Sequence, residues 1–164
     1  LKGDNMHRWS VLEKLINENK YKVIAEIGVA HGATAKHLLT NCDIDLYYMV
    51  DPVVDNELME WLIDNKVSMQ FDCDYIIKTS TDAMPFIADH SLDLAFIDAL
   101  HDEKNVRNDC QLIIPKVRAG GIISGHDYEH RRHKGVKPAV DSVFGAENLN
   151  LVPVSAGKLW WLYI

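Results

Sequence analysis

The chain has 164 residues, 48% of them hydrophobic, with 17 basic against 24 acidic side chains and a formal charge of -7. That length suits one domain, residues 1–164, with one sizeable core, and the acidic balance argues against the broad positive footprint of a nucleic-acid binder. Cys42, Cys73 and Cys110 lie far apart without a CxxC pair, which points to a reducing compartment, and no apolar run is long enough to span a membrane, so a cytoplasmic protein is expected.

Leu1 is not an initiator methionine, so the sequence is expected to begin inside a longer one, with Met6 as an alternative start. Residues 1–7 carry no pattern. From Arg8 to Asn19, Trp9, Leu12, Leu15 and Ile16 recur three or four apart, which predicts an amphipathic helix over about 8–19. Tyr21–Ile27 is the first strand, its apolar residues too continuous for a half-exposed hairpin and suited to a parallel sheet. Gly28 and Gly32 bracket a turn, and Thr34 is placed to cap the helix running to Leu39. Leu46–Val50 is the second strand, stopped by Pro52, which leaves the Asp51 carboxylate at its end.

A helix follows over Asp55–Lys66, then a third strand over Tyr75–Lys78 and a short helix through Ala88 that Pro85 interrupts. Leu92–Ile97 is the fourth strand and ends at Asp98; a helix over about Glu103–Ile114 stops at Pro115. Gly120-Gly121 turns the chain into a fifth strand, Ile122–Ser124, followed by Gly125-His126-Asp127. The basic loop Tyr128–Lys134 leads to a helix at Val136–Phe144. Leu149–Val154 and Leu159–Ile164 are two last strands, antiparallel across a turn at Ala156-Gly157. Strands alternating with helices predict a three-layer α/β/α sandwich, Rossmann-like, around a seven-stranded, mostly parallel sheet with an antiparallel last strand.

Ligands of such sheets sit outside the carboxyl ends of the parallel strands. Asp51, Asp82, Asp98, His101, His126 and Asp127 all fall there, which nominates one cleft. The dinucleotide fingerprint GxGxxG is not met, because Ala30 stands where the middle glycine would let a backbone approach pyrophosphate. The GxxxG spacing suits an amino-acid tail and ribose, and Asp51 can accept from both ribose hydroxyls. A plain tight turn at Gly28 and Gly32, and a cap at Asp51, are the structural alternatives.

The segment EIGVAHG at residues 26–32, Asp51, Asp98 and the run FIDALHDEKNVRNDCQLIIPKVRAGGIISGHDY together resemble the class I S-adenosylmethionine-dependent methyltransferases. The later run is similar to the small-molecule O-methyltransferase branch related to the macrocin and sugar enzymes. The similarity extends over about residues 21–164. It implies that Glu26, Gly28 and Gly32 border the methionine end of the cofactor, that Asp51 binds ribose, that Asp82, near Ser80 and Ala83, approaches adenine, and that Asp98 stands beside the sulfonium. Asp82 could equally cap its helix.

A sulfonium methyl is already activated, so a hydroxyl acceptor needs alignment and removal of its proton. His101, three residues past Asp98, is the first choice for the base, with an ordinary pKa. A divalent cation, magnesium or manganese, is the second route; its ligands would be Asp98, His126 and Asp127, although imidazole is a poor donor for magnesium. The expected reaction is methyl transfer from S-adenosylmethionine to a small-molecule hydroxyl. Alternatives are nitrogen or carbon methylation, a nicotinamide-dependent oxidoreductase, or a cofactor-binding domain without turnover. A homodimer partner could complete the acceptor pocket. The basic run His130–Lys134 reads as an anion contact, a lid or a solvated loop.

Overall fold

The computed structural model describes residues 6–69, 71–155 and 157–164, with the backbone alone given at 66–69. Residues 1–5 and Ala156, half of the expected last turn, lie outside the described residues. The apolar runs do form adjacent strands: β1 (Val23–Ile27), β2 (Leu46–Val50), β3 (Asp72–Ile76), β4 (Leu92–Ile97) and β5 (Val117–Tyr128). Two more, β6 (Asn150–Val154) and β7 (Gly157–Tyr163), complete a seven-stranded sheet of order β3-β2-β1-β4-β5-β7-β6. The first five pair in parallel, and β7 runs antiparallel to both of its neighbours.

Helices cover both faces because the sheet is apolar on both. On one side α1 (Arg8–Asn19), α2 (Ala33–Asn41) and α3 (Asn56–Met69) bury Leu12, Ile16, Leu38 and Leu58 against Tyr47, Met49 and Phe96. On the other, α4 (Ser80–Ala83), α5 (Glu103–Ile113) and α6 (Val136–Phe144) bury Ala83, Val106, Cys110 and Val140 against Ala95, Ile123 and Trp160. The connections change face between β1 and β4, which makes the carboxyl edge of those two strands the switch point of the sheet.

Three expectations shift. β3 starts at Asp72 rather than Tyr75 and ends at Ile76, since this edge strand pairs on one side only and tolerates polar residues there. β5 extends from Val117 to Tyr128 and takes in both glycine segments, because β4 and β7 supply hydrogen-bonding partners on its two flanks. Gly32, not Thr34, is the N-cap of α2; Thr34 is buried and accepts a 3.1 Å hydrogen bond from Arg8 Nε.

Gly28 has φ +90°, and a Cβ there would lie 2.4 Å from the Asp98 carbonyl oxygen and 2.5 Å from Ala99 Cα. No side chain fits between these backbones, and the left-handed conformation adds strain. Gly28→Ala is expected to lower stability by roughly 2 kcal/mol or more, measured by denaturant unfolding. An unchanged midpoint would show that β1 and β4 can part at this edge.

Candidate active site

The ends of β1, β2 and β4 are laced together by backbone hydrogen bonds. Gly28 N donates to the Val50 carbonyl at 2.9 Å, and Asp98 N donates to the Ile27 carbonyl at 2.8 Å. A cleft of about 560 Å³ opens over this edge, within the usual size range of small-molecule sites. Gly28, Asp51, Ser80 and Asp98 line it, and so do Ala30, Val53, Thr79, Leu100, Asn105, Asn108 and Asp109.

Asp51 faces the cleft while shaping the glycine turn. Its Oδ2 accepts from Val29 N and Ala30 N at 2.9 and 3.0 Å, and its Oδ1 accepts from Val53 N at 2.9 Å. A carboxylate offers about four acceptor positions, so capacity remains for a ligand hydroxyl. Four of the expected cofactor residues lie outside the lining. Glu26 is buried below the loop, where Tyr47 Oη donates to its Oε2 at 2.9 Å. Burial pushes the Glu26 carboxyl up to about 8, against the Tyr47 hydrogen bond. Gly32 packs on Leu58 of α3. Asp82 closes its own helix: its N–H donates to Thr79 Oγ1, whose hydroxyl donates to Asp82 Oδ2. Ala83 is fully buried.

Sequence reasoning missed the contribution of α5. Asn105, Asn108 and Asp109 recur at helical spacing on the face turned to the cleft, a polar stripe legible as one-turn spacing. Ser80 Oγ makes a short hydrogen bond to Asp109 Oδ1, and Asn108 Nδ2 donates to Thr81 Oγ1 at 3.1 Å. Burial raises the pKa of the Asp109 carboxyl despite the Ser80 bond.

Beyond Asp98 the cleft meets a cluster of carboxylates and imidazoles. His101 Nε2 lies 2.8 Å from Asp127 Oδ2 and 3.4 Å from Asp98 Oδ1, and Arg8 Nε lies 3.5 Å from Asp98 Oδ2. His126 presents Nδ1 to Asp127 Oδ1 at 3.0 Å and to Asp98 Oδ1 at 4.0 Å. Asp127 is held at φ 58°, a left-handed conformation in which its carboxylate receives both histidines. The hydrogen bond to Asp127, and then that to Asp98, push the His101 imidazole up to about 9, against the effect of burial. The expectation of an ordinary His101 pKa is therefore corrected. Burial would raise the Asp127 carboxyl, but hydrogen bonds from His101 and His126 outweigh it and hold the group far below the usual range.

Asp98, His126 and Asp127 come together as the sequence suggested, with one ligand atom from each within 4.8 Å of the others. Their donor set does not fit magnesium. That hard cation demands oxygen ligands, whereas here one donor is an imidazole and His101 Nε2 already sits against both carboxylates.

An α/β/α sandwich with a cleft at its switch point and an Asp–His cluster beside it defines a ligand-binding enzyme of the doubly wound type. The chain belongs to the methyltransferase-domain family, whose sequence profile matches residues 25–128. Among solved structures it is similar to the O-methyltransferase from Bacillus cereus in complex with SAH, at 14% identity and TM-score 0.69 over 96% of this chain and 80% of that one. It is also similar to TomG from Streptomyces achromogenes, an O-methyltransferase of tomaymycin synthesis in complex with SAM, at 13% identity and TM-score 0.69 over 95% and 79%. A third similar structure is CalS11, a TDP-rhamnose 3'-O-methyltransferase in calicheamicin biosynthesis, at 14% identity and TM-score 0.71 over 94% and 77%. At such identities the likeness establishes the fold. A search of curated protein sequences finds no match. Among the described residues no helix is long and apolar enough to cross a membrane.

Proposed function

We propose that the protein transfers a methyl group from S-adenosylmethionine to a hydroxyl of a small molecule, with His101 as the proton acceptor. The observation that carries this reading is the adjacency of two half-sites. A cleft suited to a nucleoside and an amino-acid tail meets, at Asp98, a histidine anchored by Asp127. The donor set of the cleft fits such a cofactor: Asp51 for a ribose diol, Thr79, Ser80, Asn108 and Asp109 for the edge of a purine, and Asp98 for positive charge. TomG binds SAM and the Bacillus cereus enzyme binds SAH, which supports the same assignment here.

When bound, S-adenosylmethionine supplies a methyl group already activated on a cationic sulfur. The protein then has to bind, align and deprotonate. Asp127 and Asp98 hold the proton of His101 on Nε2, which leaves Nδ1, without a partner among the described residues, to take the acceptor's proton. Asp127 acts as the positioning residue, stabilising the imidazolium that forms. Leu100, large, apolar and exposed at the cleft, offers a wall for the acceptor body. Nitrogen or carbon acceptors gain no support from an Asp-paired base, and the turn at Ala30 continues to disfavour a dinucleotide.

Asp51→Ala is expected to weaken SAH binding about 10–100-fold, the range for hydrogen bonds to a charged group. Calorimetry measures this, and an unchanged Kd would remove Asp51 from the cofactor site.

A further inference from the structure

Beside the proposed base lie two histidines, His130 and His133, that methyl transfer does not use. His133, from the basic loop between β5 and α6, stacks on His101 with ring centroids 3.9 Å apart, and His130 stacks on His133 at 4.5 Å. His133 Nε2 lies 3.8 Å from the same Asp127 Oδ2 that His101 Nε2 meets at 2.8 Å. One ligand atom each from His101, Asp127 and His133 fall within 4.8 Å of one another. Asp127 is buried and the two imidazoles are partly open to solvent. The two loops are locked in register: a Cβ at Gly135 would stand 2.6 Å from the His101 carbonyl oxygen and 2.3 Å from Glu103 N. Only a glycine lets the loop bearing His133 press on the loop bearing His101.

We infer that His101, Asp127 and His133 form a binding site for a borderline divalent transition metal of the zinc class, and that its occupation silences His101 as a proton acceptor. Zinc binds histidine nitrogen and carboxylate oxygen at about 2.0–2.2 Å, which sets tetrahedral donors roughly 3.3 Å apart. The separations of 2.8 and 3.8 Å bracket that spacing, and because the two rings are stacked at 28° to one another, His133 has to unstack and turn its Nε2 toward the ion for both nitrogens to meet it in their ring planes. Two imidazoles and one carboxylate select against magnesium and calcium and leave the fourth position to water. The site differs from the Asp98, His126 and Asp127 group in taking both of its nitrogens from loops. Its effect on catalysis rests on the proposed function and follows from the single proton of neutral imidazole. With a metal on Nε2, the proton resides on Nδ1, and the lone pair needed by the acceptor is lost.

The test begins with protein stripped of metal by a chelator and titrated with zinc against a chromogenic competitor, in the absence of cofactor. One zinc per chain is expected. His133→Ala and His133→Gln should each weaken it roughly tenfold or more, His130→Ala should leave it unchanged, and millimolar magnesium should not displace it. Binding that survives both His133 variants, or magnesium competing on equal terms, would overturn the site. SAH binding measured on the same samples separates the two readings. Zinc bound without SAH binding leaves the metal site standing and defeats the methyl-donor assignment, whereas SAH binding without zinc defeats the inference alone. With an acceptor in hand, zinc should inhibit the wild type and spare His133→Ala; equal inhibition of both would overturn the silencing.

Discussion

In chelator-treated buffer, kcat/KM should rise about tenfold for each pH unit and level off near pH 9, where His101 loses its proton. The cause is the pairing of His101 with Asp127 and Asp98, which favours the charged imidazole and raises it to about 9. Below that value the base is mostly occupied, and the rate tracks its neutral fraction. His101→Ala should reduce kcat about 10²–10⁴-fold, the usual contribution of a general base, while SAH affinity stays within about twofold, a difference of roughly 0.4 kcal/mol. A profile flat from pH 6 to 9 would reject His101 as the base. Stability carries the same signature with a defined sign. Because the folded value lies above the ordinary 6.5, the pairing contributes fully below about pH 6.5 and its contribution is lost as pH rises through about 9.

Glu26→Gln should stabilise the ligand-free protein at pH 8 by roughly 4 kcal/mol and have little effect at pH 4. Glu26 is buried, and desolvation pushes its carboxyl up to about 8. Between about pH 4.5 and 8 the unfolded chain releases this proton while the folded chain keeps it, so stability falls as pH rises across that window. Glutamine preserves an acceptor for the Tyr47 hydroxyl without the ionisation. Denaturant unfolding of both proteins at the two pH values measures the difference, and a constant offset would mean that Glu26 is ionised in the fold. SAH binding by the variant reports separately whether this residue touches the cofactor.

Much of the layout was legible because burial on both faces leaves a plain mark in a sequence. The runs VIAEI, LYYMV and LDLAFI became the central strands, and the residues following them converge on the cleft. What escaped lies where that mark fades. β3 is an edge strand whose Asp72 and Asp74 alternate toward solvent, so an apolar run did not locate its start. Asp82 carries no sign of whether it faces a ligand or its own helix; the Thr79 hydroxyl decides locally. The polar stripe of α5 became meaningful only once the helix was seen to pack beside α4 and the cleft. His133 could not be joined to His101 by spacing, since their contact depends on Gly135 bringing two loops together.

The strand that presents His126 and Asp127 is flanked on its outer side by β7, and Gly125 leaves room for the Trp160 indole, whose Cζ2 a Cβ there would meet at 2.4 Å. This arrangement joins an early and a late stretch of the chain at one edge of the sheet. β1, β2 and β4, whose ends carry Gly28, Asp51 and Asp98 into the cleft, pair with one another or with β3 and β5, all of them formed by residues before 129. The strand that carries His126 and Asp127 has residues 157–163 as its outer partner, and β6 reaches the sheet only through them. The last seven-residue strand of the chain thus acts as a brace behind the histidine cluster while the cleft over β1, β2 and β4 is walled without it.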